Sequence, residues 1–166
     1  MYKIKDILVT TDFSEYSASA LDYALSLADA HNADLHLLHI VERPRTKGKR
    51  TEKQKKTATR ASEESARRKM KKFVTERIEP TVSVRQVVLS GHPAREIVRY
   101  ARSRSIDVIV IATHGRTGLA HAFLGSIAEK VVRYSPVPVL AVKPPAVIEK
   151  LVTEEDILKS LHITSS

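Results

Sequence analysis

Glycine and hydroxyl residues follow the most apolar stretch of the chain, within VIVIATHGRTGLAHAFLGSIAEK at residues 108–130. Gly115 and Gly118 can adopt positive φ and leave their amide groups uncovered by side chains. Gly125 and Ser126 stand where a helical pattern begins. A helix start presents unpaired N–H groups and about half a positive charge. The Ser126 hydroxyl would be a further hydrogen-bond donor beside these N–H groups. These residues predict a phosphate site, although an ordinary turn and helix start would use the same residue types.

A second polar turn, TTDFS, ends the first apolar run of the chain. Asp12 and Glu15 have the spacing of a capping box, which predicts that Asp12 caps the helix that follows. If this turn and the glycine loop follow neighbouring strands, the backbone around Thr11 and Asp12 faces the same crevice as the loop. Asp12 would then serve both the helix and the crevice.

Strand and helix patterns alternate along the chain, which favours parallel strands joined by helical crossovers. The strand patterns lie at 7–9, 33–42, 81–91, 107–113 and 137–143, and the helical patterns at 13–32, 51–78, 92–105 and 125–135. We expect a single α/β domain with an open, doubly wound, five-stranded parallel sheet of order 3-2-1-4-5, as in flavodoxin-like folds. The chain reverses its winding at strand 1, so the ends of strands 1 and 4 meet and bring the two polar turns together.

With these turns and the stretches around them, the chain resembles the universal stress protein family over residues 1 to about 143. The resemblance rests on ILVTTDFSEYSASALDYALSLA, GHPAREIVRYA and ATHGRTGLAHAFLGSIAEKVVRYSPVPVLAVK. The family's nucleotide-binding pattern is Gly, two residues, Gly, nine residues, then Gly followed by Ser or Thr. Gly115, Gly125 and Ser126 keep its spacing, and Ala112 replaces the first glycine. The resemblance implies an adenine nucleotide alpha hydrolase-like fold for residues 1–143.

The resemblance also implies that the chain binds ATP. Carried over position by position, Gly115, Gly125 and Ser126 would hold the phosphates, and Ala112 would stand against the ribose or a phosphate. The adenosine would be bordered, largely through backbone groups, by Thr11, Asp12 and Val41. Ile127 would contribute an amide. Magnesium would arrive with ATP and needs no protein cage of its own. The methyl group of Ala112 costs little at negative φ but would hinder a phosphate that must approach through Cβ.

Motifs for efficient phosphoryl transfer are missing, since the sequence contains neither GxxxxGK[ST] nor SGGxDS after strand 1. We therefore expect a nucleotide-dependent regulatory protein of the stress response rather than an enzyme, with slow ATP hydrolysis left open. The second hypothesis is a dimeric interaction module that has lost nucleotide binding, with Ala112 as the sign. The resemblance implies a homodimer, and antiparallel pairing of the last strand, 137–143, with its twofold mate would cover an apolar edge.

The net charge of +9 is concentrated in the basic segment 43–72, which holds 14 Lys/Arg and 3 Asp/Glu of the chain's 28 and 19. The other residues hold 14 basic and 16 acidic side chains. The segment has no aromatic residue and so lacks the stacking surface of a single-strand nucleic-acid binder. We predict a basic loop and helix inserted in the domain, with a solvated face. Nonspecific nucleic-acid contact is one alternative, and folding of Lys47, Lys49 and Arg50 toward the ATP phosphates is another.

The remaining features bear on location and on metals. Cysteine is absent, the start has no signal-peptide core, and no apolar run approaches a bilayer span, so we expect a cytoplasmic protein without membrane contact. The seven histidines form no metal signature, and we expect partly exposed structural histidines, with His36 and His39 on opposite faces of a strand. We expect residues 144–166 to form a C-terminal tail that packs on the domain or on a partner.

Overall fold

The protein is a five-stranded parallel sheet covered on both faces by helices. The computed structural model describes residues 3–42, 51–114 and 124–145. The strands are β1 (Asp6–Thr10), β2 (Asp34–Glu42), β3 (Val84–Gly91), β4 (Val108–Ala112) and β5 (Val139–Val142). Their order across the sheet is β3-β2-β1-β4-β5, and every neighbouring pair is parallel. The predicted fold class and strand order are therefore confirmed. The predicted loop 43–50, Gly115 with the rest of 115–123, and the tail beyond 145 lie outside the described residues.

Local signals mark several of the helix boundaries in the described part of the chain. They are α1 (Glu15–His31), α2 (Glu52–Arg77), α3 (Pro93–Ser103) and α4 (Ser126–Tyr134). A capping box starts α2, in which the Gln54 amide donates to Thr51 Oγ1 over 3.3 Å and the Thr51 amide donates to Gln54 Oε1 over 3.0 Å. Pro93 opens α3, and Asn32 ends α1 in the left-handed conformation at φ 50°. None of the described helices has the length and apolar composition needed to cross a bilayer.

Alternation along β1 divides the core between the two faces of the sheet. Ile7 and Val9 point into a first core cluster with apolar residues of α1 and α2, while Leu8 points into a second core cluster with α3 and α4. All three β1 side chains are fully buried. A parallel sheet buried on both faces needs such continuously apolar central strands, which is why β1 and β4 read as unbroken apolar runs. The polar ends of these central strands are thereby left as their accessible parts.

His36 lies inside this core, and the expectation of a partly exposed side chain was wrong for it. Only 2% of His36 is exposed, because helices cover both faces of β2. Its Nδ1 hydrogen-bonds the Tyr100 hydroxyl at 2.9 Å, and its Nε2 lies 3.3 Å from Asp6 Oδ1 without hydrogen-bond geometry. Burial lowers the pKa of His36, Arg85 lowers it further, and Asp6 and Asp34 act in the opposite direction. The folded protein therefore favours a neutral His36.

This lowered pKa predicts a loss of stability in mild acid. As the pH falls through the ordinary value of 6.5, the unfolded chain protonates His36 before the folded protein does, so the free energy of unfolding decreases. The slope from this single group is at most about 1.4 kcal/mol per pH unit, and it vanishes below the folded-state pKa. Urea unfolding of the wild type and His36→Gln from about pH 5 to pH 8 measures it. A flatter dependence in the variant is expected, and identical slopes would contradict the assignment.

Candidate functional site

A cleft of about 630 Å³ opens at the carboxyl ends of β1, β2 and β4. The chain winds from β1 toward β2 and β3 on one side and from β4 toward β5 on the other, so the cleft lies at the reversal of the strand order. Elements from both faces of the sheet contribute to it: Thr10, Thr11, Asp12, Phe13, Ser17, Leu38, His39, Ile40, Val41, Glu42, Ser62, Ser65, Ala66, Lys69, Pro93, Ile97, Ile111, Ala112, Thr113, His114, Gly125, Ser126, Ile127 and Ala128.

The turn after β1 forms one wall of the cleft and is held by its own side chains. Thr11 Oγ1 accepts from the Phe13 amide over 2.9 Å and lies 2.9 Å from Ser17 Oγ. Asp12 Oδ1 accepts from the Ser14 amide over 3.0 Å and from the Ser14 hydroxyl over 2.5 Å. Phe13, between Asp12 and Ser14, has a φ of 65°, which residues other than glycine rarely adopt. Such an enforced backbone is typical of turns that position functional groups.

The predicted capping role of Asp12 was wrong, because Ser14 is the N-cap of α1. The Ser14 side chain accepts from the Ser17 amide over 3.2 Å. Asp12 lies two residues too early, and its carboxylate instead bonds the Ser14 amide, the local pattern of an Asx turn. The left-handed Phe13 separates the turn from the helix, so the capping-box spacing of Asp12 and Glu15 has no helical geometry to act on.

His39 ties this turn to β2, and the expectation that it would be partly exposed was wrong. Only 8% of it is exposed, and its Nδ1 donates to the Thr11 carbonyl over 2.8 Å. The His39 ring stacks on Phe13 with centroids 4.2 Å apart, and Phe13 meets Phe73 of α2 edge-on at 5.9 Å. As predicted, His36 and His39 pack on opposite faces of β2, against α3 and against the β1 turn respectively. Together these contacts hold the end of β1 in one position.

The end of β4 supplies the opposite wall through a close contact with the start of α4. The Thr113 amide donates to the Val142 carbonyl over 2.8 Å, and the Gly125 amide donates to the Thr113 carbonyl over 2.7 Å. A Cβ on Gly125 would stand 2.8 Å from that same carbonyl oxygen, closer than Cβ atoms approach backbone in proteins. Glycine is therefore required at this position by packing, and the contact fixes where α4 begins.

The first turn of α4 lines the cleft with Ser126, Ile127 and Ala128. Gly125 is the N-cap and provides no side-chain hydrogen bond to this turn. Helix N-termini leave their first amide groups without intrahelical partners and carry partial positive charge, which favours an anionic ligand. The arrangement can therefore receive a phosphate group through backbone amides, with the Ser126 hydroxyl at the same end of the helix.

The structure brings most of the predicted site residues into this one cleft. Those that line it are Thr11, Asp12, Val41, Ala112, Gly125, Ser126 and Ile127, while Gly115 lies outside the described residues. Ala112 is half-buried, and its side chain also packs against the first core cluster. Within 3–42, 51–114 and 124–145, no group of three His, Asp or Glu side chains could hold a metal ion.

Sequence reasoning missed the contribution of α2 to the cleft. Ser62, Ser65, Ala66 and Lys69 line it, and their spacing places them on one face of the helix. This face adjoins the apolar face that includes Met70 and Phe73. A helical projection of the segment could have found it, since small polar residues beside an apolar stripe mark the border of a buried helix face.

The known proteins that resemble this chain in sequence and in fold include universal stress proteins. The model of the "Universal stress protein family" matches residues 3–143. The chain is 33% identical over 141 residues to universal stress protein MJ0531 of Methanocaldococcus jannaschii, covering 85% of this chain and 83% of that protein. The solved structure of MJ0577 from the same organism matches with a TM-score of 0.73 and 31% identity, covering 86% of this chain and 98% of that one. A universal stress protein in complex with cAMP matches with a TM-score of 0.55 and 23% identity, over 85% and 98% of the two chains.

Proposed function

The chain belongs to the universal stress protein family, and from that premise we propose that it binds ATP in the cleft and acts as a nucleotide-dependent regulatory dimer of the stress response. The observation that carries the proposal is the first turn of α4, which faces the cleft without a side-chain cap. The contact of Gly125 with the Thr113 carbonyl holds that turn against the end of β4. Phosphate is the ligand group that such a helix start favours.

The dimensions and walls of the cleft support an adenine nucleotide as the ligand. A volume of about 630 Å³ lies in the range typical of small-molecule sites. The Thr11–Asp12 turn and Val41 would border the adenosine, and the amides of Ser126 and Ile127 would bind phosphate oxygens. Magnesium would accompany the triphosphate and neutralise part of its charge. In the cAMP complex of a universal stress protein with this fold, the ligand is likewise an adenine nucleotide.

Ala112 bears on the alternative, an interaction module that does not bind nucleotide. Its side chain packs against the first core cluster, where Val110 and Val142 are also buried. Part of the added methyl group is thus accommodated by the core, which favours retained binding over a plugged cleft. The sequence motifs for efficient phosphoryl transfer are missing, so the nucleotide would act by stabilising the conformation that binds it rather than as a rapidly turned-over substrate.

Nucleotide extracted from freshly purified protein and identified by mass spectrometry tests the proposal, together with calorimetric titration of ATP and GTP. We expect adenine nucleotide in the extract and saturable ATP binding at one site per chain. Absence of both would contradict the proposal and favour the interaction module. Binding of GTP with equal affinity would retain a nucleotide site but contradict its selectivity for adenine.

The exposed edge of β5 supports the dimeric part of the proposal. β5 lies at the end of the sheet and pairs only with β4 among the described strands. Leu140 of this strand is 38% exposed, and Val132 and Tyr134 of the neighbouring α4 are also exposed large apolar residues. An apolar edge strand is a ready template for pairing, and a twofold mate would cover its backbone and side chains together.

Leu140→Lys is therefore expected to convert the dimer to a monomer at micromolar concentration, because it buries an unpaired charge in the pairing strand. The dimer dissociation constant should rise by more than about tenfold, measured by analytical ultracentrifugation. Val82→Lys is the matched control, since Val82 is 41% exposed and precedes β3 at the opposite edge of the sheet. A monomeric wild type, or equal effects of the two variants, would contradict dimerisation through β5.

A further inference from the structure

Helix α2 contributes a charged wall to the cleft. Ser62, Ser65 and Lys69 face the cleft from one side of the helix. The helix is anchored there by Met70, which is 1% exposed, and by Phe73, whose ring meets Phe13 edge-on at 5.9 Å. Because Phe13 belongs to the turn after β1, the wall and that turn are held in a defined relation. The position of Lys69 beside the cleft is therefore set by the core and not by the lysine itself.

Lys69 is the single Lys or Arg among the described residues that line the cleft, where Asp12 and Glu42 are the carboxylates. It forms no salt bridge with any residue in the described part of the chain. On the same helix, Arg60 pairs with Glu64 at 3.4 Å and Lys72 with Glu76 at 3.6 Å, whereas Lys71, like Lys69, forms no salt bridge with a described residue. The charge of Lys69 is thus available to a ligand.

The two positive features of the cleft come from opposite faces of the sheet. α2 packs in the first core cluster and α4 in the second, so Lys69 and the first turn of α4 approach the strand ends from different sides. A lysine ammonium is a mobile point charge on a long stem and binds phosphate oxygens without demanding one orientation. A ligand between the two sides would be attracted by both when it carries several negative charges.

We propose that Lys69 is an anion-binding residue of the cleft, which attracts the phosphates of the nucleotide and makes the site prefer phosphorylated nucleotides to nucleosides. The inference rests on the proposed function for the identity of the ligand. It assigns to Lys69, which lies in both α2 and the basic segment 43–72, a role in the site that differs from a purely solvated face. Lys69 acts through electrostatic attraction, so its contribution to affinity increases with the negative charge of the ligand and decreases with ionic strength.

The matched pair Lys69→Gln and Lys71→Gln tests this proposal. Both lysines are exposed and both substitutions remove one positive charge from α2, but only Lys69 lines the cleft. Calorimetric titrations use ATP and adenosine at low and at physiological salt. We expect Lys69→Gln to weaken ATP binding about three- to tenfold at low salt and less at high salt, with adenosine affinity unchanged within about twofold. Lys71→Gln should leave both affinities within about twofold of the wild type.

Each outcome decides the proposal. Equal losses of ATP affinity in the two variants would show that Lys69 contributes only to the net charge of the protein, which would overturn the proposal. Equal losses for ATP and adenosine would place Lys69 against the base or the ribose and also overturn it. If the wild type binds no ATP, the proposed function fails, and titration with tripolyphosphate tests Lys69 alone. In that case, a difference between the variants supports anion binding by Lys69, and identical curves overturn it.

Discussion

Gly125→Ala is expected to weaken ATP binding by about ten- to a hundredfold. The new Cβ would stand 2.8 Å from the Thr113 carbonyl oxygen, which is backbone and cannot rotate away. The start of α4 must therefore move, and with it the three groups proposed to bind phosphate, the amides of Ser126 and Ile127 and the Ser126 hydroxyl. Each such interaction contributes about 0.3–1 kcal/mol, so losing the three accounts for about one to two factors of ten.

Calorimetric titration of ATP into the variant measures this loss, and circular dichroism with thermal unfolding checks that the variant folds. Ser126→Ala is the comparison, because it removes the hydroxyl and leaves the backbone in place. We expect it to weaken binding by no more than about fivefold, the value of one neutral hydrogen bond. Wild-type affinity in a folded Gly125→Ala would contradict phosphate binding at this helix start.

Ser126→Pro provides a second route to the same test should Gly125→Ala fail to fold. Ser126 is the first residue of α4, a position where proline is well tolerated because its amide has no intrahelical partner. The preceding residue, Gly125, already has ψ of 147°, the extended conformation that a following proline requires. The variant thus keeps the helix and removes an amide and a hydroxyl from the cleft. Unchanged ATP affinity in Ser126→Pro would contradict the proposed phosphate site.

Ile109→Ala is expected to lower the free energy of unfolding by about 2–5 kcal/mol. Ile109 is fully buried in β4, where it pairs with Leu8 of β1 and Val139 of β5 and packs in the second core cluster. Truncating this side chain leaves a cavity between the sheet and the helices α3 and α4. Backbone pairing of β4 on both sides limits how far the surrounding residues can move to fill it.

Urea unfolding followed by circular dichroism measures the change. Ile109→Val removes a single methylene from the same site and should cost about 0.5–1.5 kcal/mol. Val82→Ala, at a residue that is 41% exposed before β3, should stay within about 0.5 kcal/mol of the wild type. A loss below about 1 kcal/mol for Ile109→Ala would be inconsistent with the packing of β4 at the centre of the sheet.

Much of the fold could be predicted because its signals are local. Apolar residues repeat every three or four positions in α1, α3 and α4, and run continuously in β1 and β4, so element type follows from the burial that each pattern allows. The alternation of strands and helices, with right-handed crossovers, then restricts the order of the strands. For the same reason the turns after β1 and β4 could be predicted to meet, and both line one cleft.

Other details could not be predicted because they depend on contacts between distant residues. The left-handed Phe13 is stabilised by its ring contacts with His39 and Phe73, 26 and 60 positions further along the chain. That conformation is what displaces the cap of α1 from Asp12 to Ser14. Burial of His36 likewise results from Tyr100 of α3 packing over β2, which no local pattern around the histidine reveals.

By itself the sequence determined the types of the elements, their order in the sheet and the spacing of a glycine–serine helix start, because periodicity and spacing are properties of short segments. Only the tertiary structure decided that Gly125 must be glycine, since the Thr113 carbonyl that its Cβ would meet lies on another element. It also decided that Lys69, one of 14 basic residues in segment 43–72, faces the cleft. Helix packing through Met70 and Phe73 selects that face of α2, and the direction of a side chain on an amphipathic helix follows from what the other face buries.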